Sequence, residues 1–242
     1  MQRLRCLGEN TFGRDFVVGD LHGCYAEFLE HLEMHGFNSS IDRVISVGDL
    51  IDRGPDSPKC LRLPQQPWFH SVWGNHEAMM LDALSKGLGS SEFQFWMQNG
   101  GEWALEYDLD ELYREIIKLE KSIPLAIEIP LGGINVGVIH AEVPGHQWQS
   151  LARELTDSDF RRAIWGRSTI LSALYDAAPL EVAGIDYVVL GHTPLKEPFQ
   201  AANRIYIDTG AGHSNGDLTV AMLESLLQNN CPNNTPELFR PD

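Results

Sequence analysis

Short apolar runs rich in valine and isoleucine end again and again in glycine, aspartate or histidine, and this pattern constrains the fold most. We predict strands at 14-RDFVVGD-20, 42-DRVISVGD-49, 69-FHSVWGN-75, 134-INVGVIH-140, 186-DYVVLGH-192 and 204-RIYIDTG-210, and two more at 124-PLAIEIP-130 and 218-LTVAML-223. Helical patterns at 24–35, 76–87 and 102–122 follow several of these runs. Strands that alternate with helices predict an α/β fold.

The composition bounds the class of protein. The 242 residues are 43% hydrophobic, which is enough for one well-buried core, so we predict a single catalytic domain over residues 1–242. The polar, Pro- and Asn-rich tail from about residue 228 is expected to be loosely ordered. A formal charge of −16 without any basic stretch argues against nucleic acid as a partner.

Targeting and cysteine usage favour the cytoplasm. The longest apolar runs are too short to span a bilayer, and the N-terminus lacks the apolar region of a secretory signal, so we expect no membrane association. The four cysteines are scattered without zinc-site spacing, and we expect them to be reduced thiols.

Polar side chains follow the ends of six predicted strands. The oxygen and imidazole groups among them are Asp20, His22, Asp49, Asn75, His140 and His192. Either of the last two histidines alone would be interpreted as structural, but burying the whole set unpaired would be costly. Because ligands gather beyond the carboxyl ends of strands in open α/β folds, we predict that the set converges on one site. Oxygen and imidazole donors without thiolate suit Mn²⁺, Fe or Zn²⁺.

Three blocks carry a family resemblance: 19-GDLHG-23, 48-GDLIDRG-54 and 74-GNHE-77. They resemble the signature GDxHG, GDxxDRG and GNHE of the phosphoprotein phosphatase family of calcineurin-like metallophosphoesterases, with the spacing of its phage and bacterial members. Later segments also match, namely 97-MQNGG-101, 139-IHAE-142, 165-WGR-167, 191-GHTP-194 and 206-YIDTGA-211. The resemblance runs from about Asp15 to about Val220 and implies a four-layer αββα fold, a β-sandwich flanked by helices with the site at one sheet edge.

The resemblance also implies roles for individual residues. Two divalent ions, Mn²⁺ by preference, would be held by Asp20 and His22, by Asp49 as the bridge, and by Asn75, His140 and His192. His76 would act as general acid or base, oriented by Asp52. The phosphate would be gripped by Arg53, Asn75 and one arginine near Trp165, for which Arg167 is favoured and Arg162 is the rival.

The chemistry of these residue types agrees with phosphoester hydrolysis. Two metal ions joined by a carboxylate can clamp phosphoryl oxygens and generate a bridging hydroxide that attacks directly. A serine or threonine alkoxide needs a proton on leaving, which an imidazolium supplies, and a carboxylate partner would raise the pKa of His76. Arg53 offers phosphate a bidentate fork. The expected function is therefore hydrolysis of phosphoserine and phosphothreonine in proteins, and of phosphotyrosine in an extended specificity.

Two other functions stay open at this point. One is hydrolysis of dinucleoside polyphosphates or other small phosphoesters, and the other is phosphate binding without catalysis. The family pattern has an arginine directly before GNHE, whereas this chain has Trp73. The indole could be a lost phosphate clamp, a recognition surface for an aromatic group, or a packing residue under the site.

Overall fold

The computed structural model describes residues 1–175, 180–228 and 237–239. Its strands are β1 (Gln2–Cys6), β2 (Asp15–Val18), β3 (Arg43–Ser46), β4 (Phe69–Ser71), β5 (Pro124–Leu131), β6 (Ile134–Ile139), β7 (Tyr187–Leu190), β8 (Phe199–Ala201), β9 (Arg204–Tyr206) and β10 (Val220–Met222). Its α-helices are α1 (Tyr25–Met34), α2 (Ser57–Arg62), α3 (Asn75–Lys86), α4 (Ser91–Gln98), α5 (Leu109–Ser122), α6 (Asp157–Trp165), α7 (Ser168–Leu174) and α8 (Leu223–Gln228).

The strands form two sheets. One has six strands in the order β1-β5-β6-β7-β9-β8, and the other has four in the order β10-β2-β3-β4. In the smaller sheet β2, β3 and β4 are parallel neighbours, and in the larger sheet β6, β7 and β9 are parallel neighbours. Parallel neighbours end at the same edge of a sheet, so the strand ends that carry the motifs come together in each sheet.

The core lies between the two sheets and on their outer faces. Val17 and Ile45 of the smaller sheet pack with Val138 and Val189 of the larger sheet in one buried cluster. Because successive side chains of a strand point to opposite faces, the residues that flank Val17 face outward. They join a second cluster that includes Phe28 of α1, and the outer face of the larger sheet packs with α6 and α7 in the same cluster. The predicted β-sandwich flanked by helices is confirmed.

One prediction of local structure was wrong, and several elements were not predicted. The single helix expected over 102–122 is instead a 3₁₀ helix, Gly101–Glu106, followed by α5. Asp108 separates them, since its side chain accepts hydrogen bonds from the backbone N–H groups of Asp110 and Glu111 and so begins a new helix. Strands β1 and β8 and helices α2, α4, α6, α7 and α8 were not predicted.

Other expectations concern the membrane, the thiols and the tail. No helix of the described residues is long and apolar enough to cross a membrane. Cys6, Cys24 and Cys60 are free. Most of the tail lies outside the described residues, so its looseness stays a prediction, but Phe239 donates a backbone hydrogen bond to the carbonyl of Pro194.

Candidate active site

Both sheets supply the predicted site residues, each from just beyond the end of a strand. The smaller sheet provides Asp20 after β2, Asp49 after β3 and Asn75 at the start of α3, and the larger sheet provides His140 after β6 and His192 after β7. All five are at most 4% exposed. The site therefore lies at the edge of the sandwich where the carboxyl ends of the two parallel sets meet.

The backbone of the site is strained. Seven non-glycine residues of the described chain have φ in the left-handed region, and five of them are predicted site residues: His22, Asp49, Asp52, Arg53 and His192. Such conformations cost about 1–3 kcal/mol each and persist where the surrounding structure enforces them. Glycines allow the loops to approach one another closely, since a Cβ atom at Gly191 would collide with the carboxylate of Asp20.

The carboxylate of Asp49 lies at the centre of the buried cluster. Its Oδ1 atom is 3.4 Å from Nε2 of His140, and its Oδ2 atom is 3.8 Å from Nε2 of His22 and from Nε2 of His76. Burial alone would raise the pKa of Asp49, but the three histidines outweigh burial and lower it. The two oxygens of one ionised carboxylate thus face two separate groups of imidazoles, which is the arrangement that a bridging ligand requires.

The protonation of His22 and His140 tests whether the cluster suits a metal ion. Burial lowers the pKa of both rings below the usual value of histidine, which favours the neutral form that a metal ligand requires. The one proton of each ring is on Nδ1, which lies 3.0 Å from the carbonyl of Ile51 in His22 and 2.7 Å from the carbonyl of Val47 in His140. The lone pairs on Nε2 therefore point toward the carboxylates, and a cation between these atoms would satisfy both.

The amide oxygen of Asn75 extends the same donor set. It lies 2.8 Å from Nε2 of His140 and 2.8 Å from Nδ1 of His192. Two groups can hold an ion with ligand atoms within 4.8 Å of one another, namely His22, Asp49 and His76, and Asp49, His140 and His192. The residues present fit two divalent ions. Asp20 is next to the first group, with Oδ2 4.0 Å from Nε2 of His22.

His76 forms a buried pair with Asp52. Its Nδ1 atom donates to Oδ2 of Asp52 at 2.7 Å. Burial alone would lower the pKa of His76, but Asp49 and the hydrogen-bonded Asp52 outweigh it and raise the pKa. The hydrogen bond and the direction of the pKa shift are those expected of a ring oriented by Asp52, and the role of His76 as acid or base stays a prediction.

The model of the calcineurin-like phosphoesterase family matches residues 16–196. The chain is a calcineurin-like phosphoesterase. Serine/threonine-protein phosphatase 2 of Escherichia coli (strain K12) is 38% identical over 214 residues, which cover 88% of this chain and 94% of that protein.

Two further comparisons bear on the fold and on the range of activities among relatives. A symmetrical bis(5'-nucleosyl)-tetraphosphatase of Chromohalobacter salexigens is 29% identical over 197 residues, which cover 78% of this chain and 68% of that protein. A solved structure of a protein serine/threonine phosphatase from Saccharomyces cerevisiae covers 100% of this chain and 85% of its own, with a TM-score of 0.65 and 15% identity. This second likeness concerns the fold alone.

Two buried carboxyl groups support the site of this phosphoesterase and had no predicted role. Glu77 accepts hydrogen bonds from the backbone N–H groups of Asp49, Leu50 and Gly74 at 2.8–3.0 Å, and burial raises its pKa to about 8. Burial also raises the pKa of Asp208, to about 6. Glu77 lies in 74-GNHE-77 and Asp208 lies in 206-YIDTGA-211, so their place in these motifs could have identified them as site residues.

The arginines of the phosphoesterase differ in their distance from the metal ligands. The exposed Arg53 contacts Nε2 of His22 and lies 3.2 Å from Nε2 of His76. Nη2 of Arg167 donates to the carbonyl of His192 at 3.3 Å, whereas Nη1 of Arg162 lies 3.6 Å from Glu142. Arg167 is therefore the better placed of the two rivals for binding phosphate.

Trp73 does not face the mouth of the site. Its side chain is 1% exposed and belongs to the main core cluster, and its backbone N–H donates to the carbonyl of Pro124 at 3.0 Å. The hypotheses of a lost clamp and of a recognition surface were wrong, because a buried indole can contact neither phosphate nor an aromatic group of a substrate. Trp73 is a packing residue.

Proposed function

We propose that this phosphoesterase hydrolyses phosphoserine and phosphothreonine in proteins, with phosphotyrosine as an additional substrate class. The observation that carries the proposal is the buried pair of His76 and Asp52 beside Asp49. The alkoxide of serine or threonine is a strongly basic leaving group and needs a proton as the bond to phosphorus breaks. The raised pKa of His76 keeps a proton available on Nε2 for that purpose.

The remaining residues would bind the phosphate and the metal ions. Arg53 and Arg167 would hold phosphoryl oxygens, and Asn75 would contribute its amide. Two divalent ions, Mn²⁺ in preference to Fe or Zn²⁺, would be held by Asp20, His22 and Asp49 and by Asp49, Asn75, His140 and His192, which leaves Nε2 of His76 for its proton. When bound, such ions supply positive charge to phosphoryl oxygens and activate water. The free thiols favour a reducing cytoplasm as the compartment.

The second candidate is hydrolysis of dinucleoside tetraphosphates, which the tetraphosphatase among the relatives supports. Its leaving group is a nucleotide phosphate, which is weakly basic and gains little from a proton donor. A pocket built around a protonated imidazole favours the phosphoprotein over the dinucleotide. Phosphate binding without catalysis is a weaker candidate, since this chain keeps the whole set of metal-binding and proton-donating side chains.

A direct comparison of substrates tests the proposal. The metal-stripped protein is given Mn²⁺ and assayed on phosphoserine, phosphothreonine and phosphotyrosine peptides and on diadenosine tetraphosphate. We expect kcat/KM to be highest on the phosphoserine and phosphothreonine peptides, and Asp49→Asn prepared in parallel to be inactive on all substrates. Preferential hydrolysis of diadenosine tetraphosphate would support the second candidate instead, and phosphate binding without turnover would support the third.

A further inference from the structure

A cavity of about 290 Å³ lies beside the predicted phosphate site, where α6 meets α7. Its lining includes three arginines, Arg161, Arg162 and Arg167, together with Trp165 and Glu142. The chain as a whole carries a formal charge of −16, so three guanidinium groups around one small cavity stand apart from the rest of the molecule. A concave surface of one charge sign attracts ligands of the other sign.

The one carboxylate of this lining does not neutralise the arginines. Glu142 is buried and accepts hydrogen bonds from the hydroxyl of Ser168 at 2.8 Å and from the backbone N–H of Thr169 at 2.6 Å. Its one ion pair with an arginine within 4 Å among the described residues is with Arg162, at 3.6 Å. Arg161 is exposed and makes no hydrogen bond or ion pair with any described residue. The lining therefore keeps an excess of positive charge that faces solvent.

The cavity is close to the metal ligands. The ring of Trp165 packs edge-on against the ring of His192, with their centroids 5.8 Å apart. Arg167 lines the cavity and also donates to the carbonyl of His192. An extended peptide advances about 3.3–3.6 Å per residue, so the residues next to a phosphorylated residue bound at Arg167 can lie over the cavity, whose lining includes Arg167.

We propose that this cavity binds a second anionic group of the substrate, a carboxylate or a phosphate on a residue near the phosphorylated one. The enzyme then prefers acidic phosphopeptides, with Arg161 as the main contact because its guanidinium is uncommitted. Guanidinium groups suit this role, since their planar fork binds carboxylate and phosphate alike. This inference rests on the proposed function and names the substrate class within it.

Matched phosphopeptides test the preference. One peptide carries glutamate at the two positions on each side of the phosphoserine, a second carries glutamine there, and a third carries a second phosphoserine. Exposed ion pairs are individually weak, so two to three contacts predict a kcat/KM about 3–10-fold higher for the acidic peptides than for the glutamine peptide. The difference should lie mainly in KM and should shrink at high salt.

Substitution of Arg161 assigns the effect to the cavity. Arg161→Gln should lose a large part of the preference for acidic peptides, whereas Arg161→Lys should keep part of it. In both variants the turnover of p-nitrophenyl phosphate should stay unchanged. Arg114→Gln removes an exposed arginine of α5 and serves as the control. The peptide that gains most identifies carboxylate or phosphate as the ligand. Equal kcat/KM on all three peptides would overturn the inference, and so would the same loss of preference in Arg114→Gln. Turnover of diadenosine tetraphosphate without turnover of any phosphopeptide would instead refute the proposed function.

Discussion

Asp52 holds His76 through a 2.7 Å hydrogen bond, and Asp52 is itself held by the indole N–H groups of Trp96 and Trp103 at 2.8–3.1 Å. The carboxylate is fully buried, so its position is fixed from three directions. The ring of His76 consequently has one orientation, with Nε2 directed away from Asp52 and toward Arg53. A proton donor fixed in this way loses little orientational freedom in the reaction.

Replacing His76 should separate chemistry from metal binding. We expect His76→Asn to lower kcat on phosphoserine peptides by about 10²–10⁴, the usual contribution of a general acid. The loss should be smaller on p-nitrophenyl phosphate, whose leaving group hardly needs a proton. Steady-state kinetics on both substrates and elemental analysis of bound metal check this. Equal losses on the two substrates would remove His76 from the role of acid.

Removing the metal ions should affect both activity and stability. The cluster contains the buried carboxyl groups of Asp20, Asp49 and Asp208, which repel one another without a cation. A chelator should abolish activity and lower the melting temperature, and Mn²⁺ should restore both. At a free metal concentration of 100 Kd the stabilisation would be about 2.7 kcal/mol. Asp49→Asn should not respond to Mn²⁺ in either assay, and full activity in a preparation shown to be metal-free would refute the two-metal site.

Trp73 offers a test of packing against catalysis. Trp73→Arg would bury a charge without a partner in the core, which should destabilise the protein by about 3–5 kcal/mol and improve turnover of no phosphoester. Trp73→Phe is the control, because it keeps an aromatic ring and should cost less. Urea unfolding and kinetics on small phosphoesters measure the two effects. A well-folded arginine variant with faster turnover would mean that the position can reach phosphate after all.

The ion pair between Arg14 and Asp42 predicts how stability depends on pH. Burial alone would raise the pKa of Asp42, but hydrogen bonds from the Arg14 guanidinium and from the backbone N–H groups of Asn38 and Arg14 outweigh burial and lower it. Because the pKa of Asp42 is lower in the folded state, the ionised carboxylate stabilises that state at pH values above its unfolded pKa of about 3.9. This contribution is lost as the pH falls through the folded-state pKa.

Asp42→Asn should therefore lower the free energy of unfolding at neutral pH. Arg14 is 40% exposed, so we expect solvent screening to limit the loss to about 1–2 kcal/mol. The difference from the unsubstituted protein should shrink below about pH 4. Glu106→Gln, at an exposed carboxylate without such partners among the described residues, is the control. A difference that is constant with pH would exclude the ion pair as its cause.

The sequence predicted the strands that carry motifs because their side chains are nearly all buried, which leaves long apolar runs. It did not predict β1, whose residues are mostly exposed or half-buried, because β1 is an edge strand whose pairing with β5 depends on backbone hydrogen bonds. Strand β8 has three residues, too few for a period to be recognised. The local pattern therefore indicated buried strands and long helices, whereas edge strands and the shorter helices α2, α4, α6, α7 and α8 were not predicted.

The candidate site could likewise be predicted from the sequence only in part. The side chains of Asp20, Asp49 and His140 could be selected from their motifs, because the residue types identify the chemistry. The direction in which the Trp73 side chain points could not be predicted. A shift of one residue along the chain turns a side chain from the core to the site, and the packing of β4 and α3 decides which of the two it faces. The grouping of Arg161, Arg162 and Arg167 around one cavity was also not predicted, because it depends on how α6 meets α7.

The division of the ligands between the two sheets has a consequence for how the protein matures. Asp49 and Asn75 come from one sheet and His140 and His192 from the other, and the hydrogen bonds between His192 and Asp20 join residues 172 positions apart. The site of His22 and Asp49 comes from the smaller sheet alone, whereas the site of Asp49, His140 and His192 cannot form until both sheets have been synthesised and packed together. An ion in this second site would join the two sheets, and we expect its loss to loosen the sandwich at that edge.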